Sequence, residues 1–130
     1  MGFFKDLLGS KKKHQQLNWK SLEDNLQIDN AIDLSFEKPV VIFKHSTRCG
    51  ISRMVLNGFQ NNADFDEEKV LLLYLDLLQY RDVSNEISKR FSIIHQSPQM
   101  IILKAGEVVH YSSHSAIVPS SVNAVIRNDL

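Results

Sequence analysis

Three short apolar runs stand out along the chain, and each is nearly continuous rather than alternating with polar residues. They cover residues 40–43, 70–75 and 100–103 and are rich in valine, isoleucine and leucine. Such runs are typical of central strands that are covered on both faces. A fourth run at 108–111 follows a turn at Lys104–Glu107 and predicts a hairpin partner for the third strand.

Helical periodicity fills the intervals between these runs. A start signal at Ser21–Asp24 predicts a first helix that extends towards Asp33 and ends before Pro39. Apolar residues at four-residue spacing predict a second and a third helix, and a proline followed by apolar residues predicts a closing helix. The residues concerned are Ile51, Val55 and Phe59; Val83, Ile87 and Phe91; and Pro119, Val122, Val125 and Ile126.

The resulting element order predicts an α/β sandwich with helices on both faces of one sheet. Strands that are separated by helices need crossover connections, so we expect a mainly parallel centre with the hairpin as an antiparallel edge. A length of 130 residues suits one domain.

The charge distribution separates the beginning of the chain from the rest. The 15 basic and 15 acidic residues cancel, which argues against a nucleic-acid partner. Residues 1–20, however, contain five lysines and one aspartate, a surplus of +4. We therefore expect a basic N-terminal extension over residues 1–16 and one domain over residues 17–130. The extension is interpreted either as a frayed segment that packs a few apolar groups, or as a helix that docks on a membrane surface or a partner.

The sequence has no run long enough for an integral membrane segment and lacks the pattern of a signal peptide. We therefore expect a cytoplasmic protein. In that reducing compartment a free thiol persists.

Cys49 is the only cysteine, and it lies where the first apolar run ends and a helix begins. A single cysteine excludes an internal disulfide and a cysteine-cage zinc site. The carboxyl end of a strand beside a helix N-terminus is where α/β sheets place chemistry, and the helix dipole favours a thiolate there. The sequence thus favours a reactive thiol over a buried structural cysteine. Four basic residues nearby are expected to add positive potential: Lys44, His45, Arg48 and Arg53.

Two further segments, taken together with the motif Cys49–Ser52 (Cys-Gly-Ile-Ser), resemble the thioredoxin superfamily. They are Gln96–Gln99, with Ser97 and Pro98 at its centre, and the turn Lys104–Glu107. The resemblance implies a thioredoxin-like three-layer α/β/α sandwich with a central mixed sheet of four to five strands. It also implies that Pro98 is a cis-proline facing the cysteine, and that Ser97 offers backbone hydrogen bonds to a bound peptide or thiol.

Within this superfamily, the segment Val41–Cys49 is most similar to the YtxJ-type monothiol bacilliredoxins of the bacillithiol system, and the resemblance covers residues 17–130. Family members usually carry Thr-Cys-Pro-Ile-Ser in the motif. Here Arg48 replaces a small or polar residue and Gly50 replaces the proline, and glycine loosens the first turn of a helix. The resemblance implies a monothiol oxidoreductase that removes bacillithiol, or a similar low-molecular-weight thiol, from S-thiolated client proteins.

Two replacements define the expected chemistry. Ser52 stands where dithiol thioredoxins have a resolving cysteine, and Phe43 stands where they have a buried aspartate six residues before the first cysteine. We therefore expect Cys49 to attack the outer sulfur of a mixed disulfide and to carry the small thiol until another thiol removes it. The small thiol is expected as a co-substrate, with no tightly bound cofactor.

Some supporting residues have two interpretations. Ser52 either hydrogen-bonds the Cys49 sulfur or is a plain serine on the helix surface. Thr47, together with Ser46, either holds polar groups of the small thiol or simply forms the loop between strand and helix.

Two other functions remain open. The Cys49–Ser52 motif also resembles the Cys-Gly-Phe-Ser of monothiol glutaredoxins, which hold an iron–sulfur cluster between two protomers, although the Gly-Gly segment of those proteins is missing after Pro98. The second is a non-catalytic adaptor that binds partners through the Ser97–Pro98 groove. His45 and His95 are predicted to share the rim of the active site, but no metal site is expected.

Overall fold

A computed structural model describes residues 17–129 of the chain. Within these residues, five strands form a single sheet, and four α-helices and two short 3-10 helices, Glu67–Lys69 and His114–Ala116, accompany it. The strands are β1 Lys20–Ser21, β2 Val40–His45, β3 Leu71–Asp76, β4 Gln99–Lys104 and β5 Glu107–Ser113. The α-helices are α1 Asn25–Leu34, α2 Gly50–Asn61, α3 Arg81–Phe91 and α4 Pro119–Ile126. The strand order across the sheet is β1-β3-β2-β4-β5.

The central strand β2 is buried on both faces, which explains its continuous apolar sequence. Because side chains alternate along a strand, β2 divides the core into two layers. Val40 and Ile42 pack with residues of α1 and α3, whereas Val41 and Phe43 pack with residues of α2 and α4. This arrangement confirms the predicted three-layer α/β/α sandwich with a mixed sheet.

The centre of the sheet differs from the prediction. β2 is parallel to β3 on one side but antiparallel to β4 on the other. The expected mainly parallel centre is therefore wrong, because β4 lies inside the sheet rather than at its edge. The cause is the connection after α3. Residues 92–98 can extend about 23 Å, at about 3.3 Å per residue, which exceeds the length of about 16 Å of the 11-residue helix α3. The chain thus returns to the edge where β2 ends before β4 begins.

The first helix begins later than predicted. Asp24 is its N-cap: the Asp24 carboxylate accepts the Gln27 backbone N–H at 2.9 Å, and Gln27 Oε1 accepts the Asp24 N–H at 3.1 Å. Ser21, which the sequence placed in the start signal, instead belongs to β1 and pairs with Tyr74 of β3. The two-residue strand β1 was missed because two residues carry no periodicity.

Three connections meet at the carboxyl end of β2. His45, the last residue of β2, pairs with Asp76 at the end of β3, and Gln99 opens β4 opposite Lys44. The segments after β2, after β3 and before β4 therefore lie at one edge of the sheet, and this edge holds the candidate residues.

The described part of the chain begins on the face of the sheet that α2 and α4 cover, where Leu17 and Trp19 pack against the core. The predicted basic extension at residues 1–16 lies outside the described residues, so its boundary stays a prediction. Between residues 17 and 129, no helix combines the length and the apolar character that crossing a membrane requires.

Candidate active site

Cys49 is the N-cap residue of α2, four residues after β2 ends at His45. Its backbone is extended, with φ −103° and ψ 120°, and its half-buried side chain is a free thiol that makes no capping hydrogen bond. The Cys49 N–H donates to the Ser46 carbonyl at 3.1 Å, and the Cys49 carbonyl accepts the Arg53 N–H at 3.1 Å. The first amides of a helix have no acceptor within the helix, and the dipole is positive at this end. The sulfur therefore lies where an anion is stabilised.

Ser52 is completely buried, so the interpretation as a helix-surface serine is wrong. Its Oγ lies 2.7 Å from His45 Nδ1 and accepts the Ser46 backbone N–H at 3.1 Å. These contacts join the first turn of α2 to the end of β2. The other interpretation, a hydrogen bond to the Cys49 sulfur, is not among the contacts that the Ser52 hydroxyl makes here.

His45 is a buried histidine whose environment favours the neutral ring. Burial lowers its pKa below the usual value of 6.5, the nearby Asp76 carboxylate partly opposes that effect, and the Arg53 guanidinium adds to it. The ring also lies against Tyr74, with 5.8 Å between the ring centroids. His45 is therefore uncharged at neutral pH and adds no positive potential there, contrary to the expectation from sequence.

Lys44 points to the opposite face of the sheet. It is completely buried, and its ammonium Nζ donates to the Ser84 carbonyl at 3.3 Å, to Ser88 Oγ at 3.2 Å and to His95 Nδ1 at 3.4 Å. Burial lowers the Lys44 pKa from 10.5 to about 8. Its charge thus belongs to the α3 layer, and the prediction that it reinforces the cysteine is wrong. For the same reason His95 contacts Lys44, and the two histidines do not form one active-site rim.

The two arginines near Cys49 have different surroundings. The Arg53 guanidinium donates to the Thr47 carbonyl at 2.9 Å and so holds the loop that precedes α2. Arg48 is exposed and lines a polar surface pocket of about 480 Å³. Thr47 lines the same pocket, so it is both a loop residue and a pocket residue. The remaining lining residues come from the end of β3 and the segment after it: Asp76, Leu78 and Gln79.

The segment before β4 approaches the same edge of the sheet. The Ser97–Pro98 peptide bond is cis, Pro98 is buried, and its carbonyl accepts the His114 N–H at 3.1 Å. Since the β2–β4 ladder ends where Gln99 pairs with Lys44, the preceding residues Pro98 and Ser97 lead towards the end of β2 and the loop that follows it. Within the described residues, the buried Ser97 Oγ has no hydrogen-bond partner.

Phe43 and Gly50 occupy positions at which dithiol thioredoxins and the usual family motif have other residues. Phe43 lies in an aromatic cluster, 5.6 Å from Phe59 and 5.8 Å from Trp19 between ring centroids. No ionisable group therefore replaces the aspartate at that position. Gly50 is the first residue of α2, and a Cβ atom added there would meet no atom within 4 Å. Residues 17–129 contain no group of three or more histidine, cysteine and acidic side chains arranged to hold a metal ion.

Comparisons with known proteins agree with this geometry. Residues 20–122 match the sequence profile of the family described as monothiol bacilliredoxin BrxC. A solved structure described as having a thioredoxin fold is 30% identical, with 84% of this chain and 93% of that chain covered and a TM-score of 0.70.

Two more distant structures show the same fold. The thioredoxin of Malassezia sympodialis is 20% identical, with 88% of this chain and 92% of that chain covered and a TM-score of 0.65. For the thioredoxin of Fasciola hepatica the corresponding values are 16%, 84%, 97% and 0.61. The thioredoxin-like fold and the family resemblance inferred from the sequence are thus confirmed.

Proposed function

Because the chain belongs to the monothiol bacilliredoxin family, we propose that this thiol oxidoreductase removes a low-molecular-weight thiol, bacillithiol or a close analogue, from mixed disulfides of client proteins. The observation that supports this most is the position of Cys49. It is the only thiol of the chain, it lies at the start of α2, and the place of a resolving cysteine is occupied by the buried Ser52. One thiol at such a place supports exchange between molecules and excludes an internal disulfide.

The proposed reaction has two steps. The Cys49 thiolate attacks the sulfur of the small thiol in the client's mixed disulfide, so that a new S–S bond forms on Cys49. The client leaves as a thiolate and takes a proton from solvent. A second low-molecular-weight thiolate then attacks the small-thiol sulfur on Cys49. This step releases a disulfide of the two small thiols and regenerates the Cys49 thiolate. The second thiolate supplies the electron pair of the new S–S bond, and the Cys49 sulfur leaves with the pair of the old one.

The pocket lined by Thr47 and Arg48, the two residues that precede Cys49, suits the polar part of such a thiol. Arg48 and Asp76 place a cation and an anion around the same opening, and Thr47 and Gln79 add uncharged polar groups. A small thiol that carries both carboxylates and an amine matches this mixture, because each ionic group finds an opposite charge. The backbone of the Ser97–Pro98 segment offers further hydrogen bonds to the client or to the thiol. The proposed setting is the reducing cytoplasm, where a single thiol stays free.

Transfer of the small thiol to Cys49 is the direct test. A model protein carrying bacillithiol as a mixed disulfide is mixed with the reduced protein, and intact masses of both are followed over time. We expect the mass of one bacillithiol to move onto the protein one to one, and Cys49→Ala to acquire none. A parallel substrate carrying glutathione determines whether the site discriminates between the two thiols.

The outcome that contradicts the proposal is equally specific. No adduct on the wild-type protein, or an equal adduct on Cys49→Ala, would exclude exchange at Cys49. Client proteins that still bind Cys49→Ala, without any transfer by the wild type, would instead favour the adaptor function.

A further inference from the structure

The hydroxyl of Ser52 connects three parts of the active site that are separate in the sequence. It belongs to α2, it lies 2.7 Å from His45 Nδ1 at the end of β2, and it accepts the N–H of Ser46 in the connecting loop at 3.1 Å. Ser52 is completely buried and the exposed fraction of His45 is 4%, so water does not compete for these hydrogen bonds. The hydrogen bonds among His45, Ser46 and Ser52 are therefore buried, and we call these three residues the anchor.

The donor and acceptor roles of this pair depend on the tautomer of the His45 ring. A hydroxyl has one hydrogen and two lone pairs, and the Ser46 N–H already occupies one lone pair. The Ser52 O–H donates to Nδ1 when the ring hydrogen is on Nε2, and the second lone pair of Ser52 Oγ accepts when the ring hydrogen is on Nδ1. The chain of hydrogen bonds thus runs from the loop backbone through Ser52 to the His45 ring.

This anchor holds the residue that the reaction needs. Ser46 accepts the Cys49 N–H at 3.1 Å with its carbonyl while donating its own N–H to Ser52, so both peptide groups of Ser46 are fixed. Gly50 provides no restraint of its own, because glycine has more backbone freedom than any other residue. The position of the sulfur at the start of α2 therefore depends on side chains that bind the loop.

We propose that His45 is a positioning residue for Cys49, acting through Ser52 to hold the sulfur at the start of α2, where the free amides stabilise its thiolate. The proposal rests on the proposed function only in taking Cys49 as the reacting thiol. It gives Ser52, which stands where dithiol thioredoxins have a resolving cysteine, a role in the monothiol reaction: this hydroxyl cannot exchange electrons, but it fixes the geometry of the one sulfur that can.

The charged and titratable groups around His45 belong to two elements. Asp76 and Tyr74 face it from β3, and Arg53 and Cys49 lie on the side of α2. A protonated His45 would carry a hydrogen on Nδ1, and the Ser52 hydroxyl would then have to accept that hydrogen instead of donating its own. The direction of the His45–Ser52 hydrogen bond therefore depends on the protonation of the ring.

The rate of alkylation by iodoacetamide tests the proposal, because this chain has one thiol and the reagent needs no bacillithiol. The rate is measured from pH 5 to pH 9 for wild type, Ser52→Ala, His45→Phe and His45→Asn. We expect Ser52→Ala and His45→Phe to react about fivefold more slowly at pH 7, the effect of one net hydrogen bond, with profiles shifted to higher pH. Asparagine keeps an acceptor where Nδ1 lies, so His45→Asn should react at nearly the wild-type rate.

Ser84→Ala is the matched control. Ser84 is also a buried serine, but it lies on α3 across the sheet, so its loss should leave the alkylation profile unchanged. Thermal unfolding of each variant separates stability from reactivity. If Ser52→Ala lowers the melting temperature but keeps the wild-type profile, or if His45→Asn behaves as His45→Phe does, the proposal is overturned. Should His45→Phe fail to fold, Ser52→Ala and His45→Asn decide the matter.

The two proposals fail in different ways. Slower alkylation of Ser52→Ala together with no transfer of bacillithiol would keep the positioning role and remove the proposed substrate. Normal alkylation of Ser52→Ala together with efficient transfer of bacillithiol would keep the proposed substrate and remove the positioning role.

Discussion

Lys44 and His45 are neighbours in the sequence, but their side chains lie on opposite faces of the sheet. Lys44 enters the α3 layer as a fully buried cation whose three ammonium hydrogens all find acceptors: the Ser84 carbonyl, Ser88 Oγ and His95 Nδ1. His45 enters the α2 layer as a neutral ring with a hydroxyl partner that belongs to the cysteine's own helix.

The difference follows from the pleat of β2, which sends successive side chains to opposite faces. Both groups are buried and both have a lowered pKa, but only His45 is connected to Cys49. Residues that are adjacent in a strand therefore face different layers and do not share a site. Residues two apart lie on the same face of the sheet and can share one. A lowered pKa alone would not have told the two residues apart.

The largest expected difference between Lys44 and His45 is in the pH dependence of the free energy of unfolding, and Lys44 causes it above neutral pH. Its folded-state pKa of about 8 lies below the unfolded value of 10.5, so the unfolded chain binds more protons between these values. The contribution of Lys44 to the free energy of unfolding therefore rises by about 3 kcal/mol from pH 8 to pH 10.5 and is constant below pH 8.

Denaturant unfolding of wild type and Lys44→Met across this range measures that contribution, since the difference between the two curves removes all other groups. Methionine keeps the length of the side chain and removes its charge. Parallel curves would contradict the assignment. The alkylation rate of Cys49 at pH 7 should change less than twofold in Lys44→Met, and a larger change would join the two layers that the structure separates.

A smaller effect is expected on the acid side and belongs to His45. Because its folded-state pKa is below 6.5, its contribution to stability is complete above pH 6.5 and is lost as the pH falls through the folded value. His45→Asn does not titrate there, so its free energy of unfolding should fall less steeply from pH 6.5 to pH 4.5 than that of wild type. Equal slopes in the two proteins would mean that the His45 ring is not protected from protonation.

The smallest effect concerns Gly50. Proline is favoured at the first position of a helix, the extended Cys49 backbone suits a residue before proline, and no atom lies within 4 Å of an added Cβ. We expect Gly50→Pro to stabilise the protein by about 0.4–1 kcal/mol through the unfolded state.

The same variant tests how far the side-chain anchor depends on the missing proline. In a double-mutant cycle, Ser52→Ala should slow alkylation less in the Gly50→Pro background than in wild type, because the backbone then restrains the first turn. Equal effects in both backgrounds would show that the two restraints act independently.

Much of the fold was predictable because it depends on patterns that span many residues. The continuous apolar strands, the helices at four-residue spacing and the hairpin all follow from burial on two faces or on one. The orientation of β4 was not predictable in this way, because it depends on how the seven residues 92–98 return the chain. The start of α1 was misplaced because Ser21 and Asp24 are both acceptable caps, and only pairing with β3 decides between them.

For the candidate site, the sequence located the thiol but not its support. Cys49 and the Ser97–Pro98 segment were found from motifs and their spacing. The burial of Ser52 and its bond to His45 were missed, because the two residues are seven apart and meet only when α2 folds back on β2. A signal was available in the alternation of β2. His45 is two residues after Phe43 and so lies on the same face of the sheet, the face that α2 covers, whereas Lys44 lies on the other face.

The Cys49 side chain leaves the N-cap of α2 without a capping hydrogen bond. An anion at that position interacts favourably with the free amides and the dipole of the helix, whereas a sulfur bound in a disulfide carries no charge. In the proposed reaction, a small thiol on Cys49 would therefore leave the first turn of α2 without an anionic cap, and its departure would allow one to form. Release of the small thiol and completion of the helix start would then be one event.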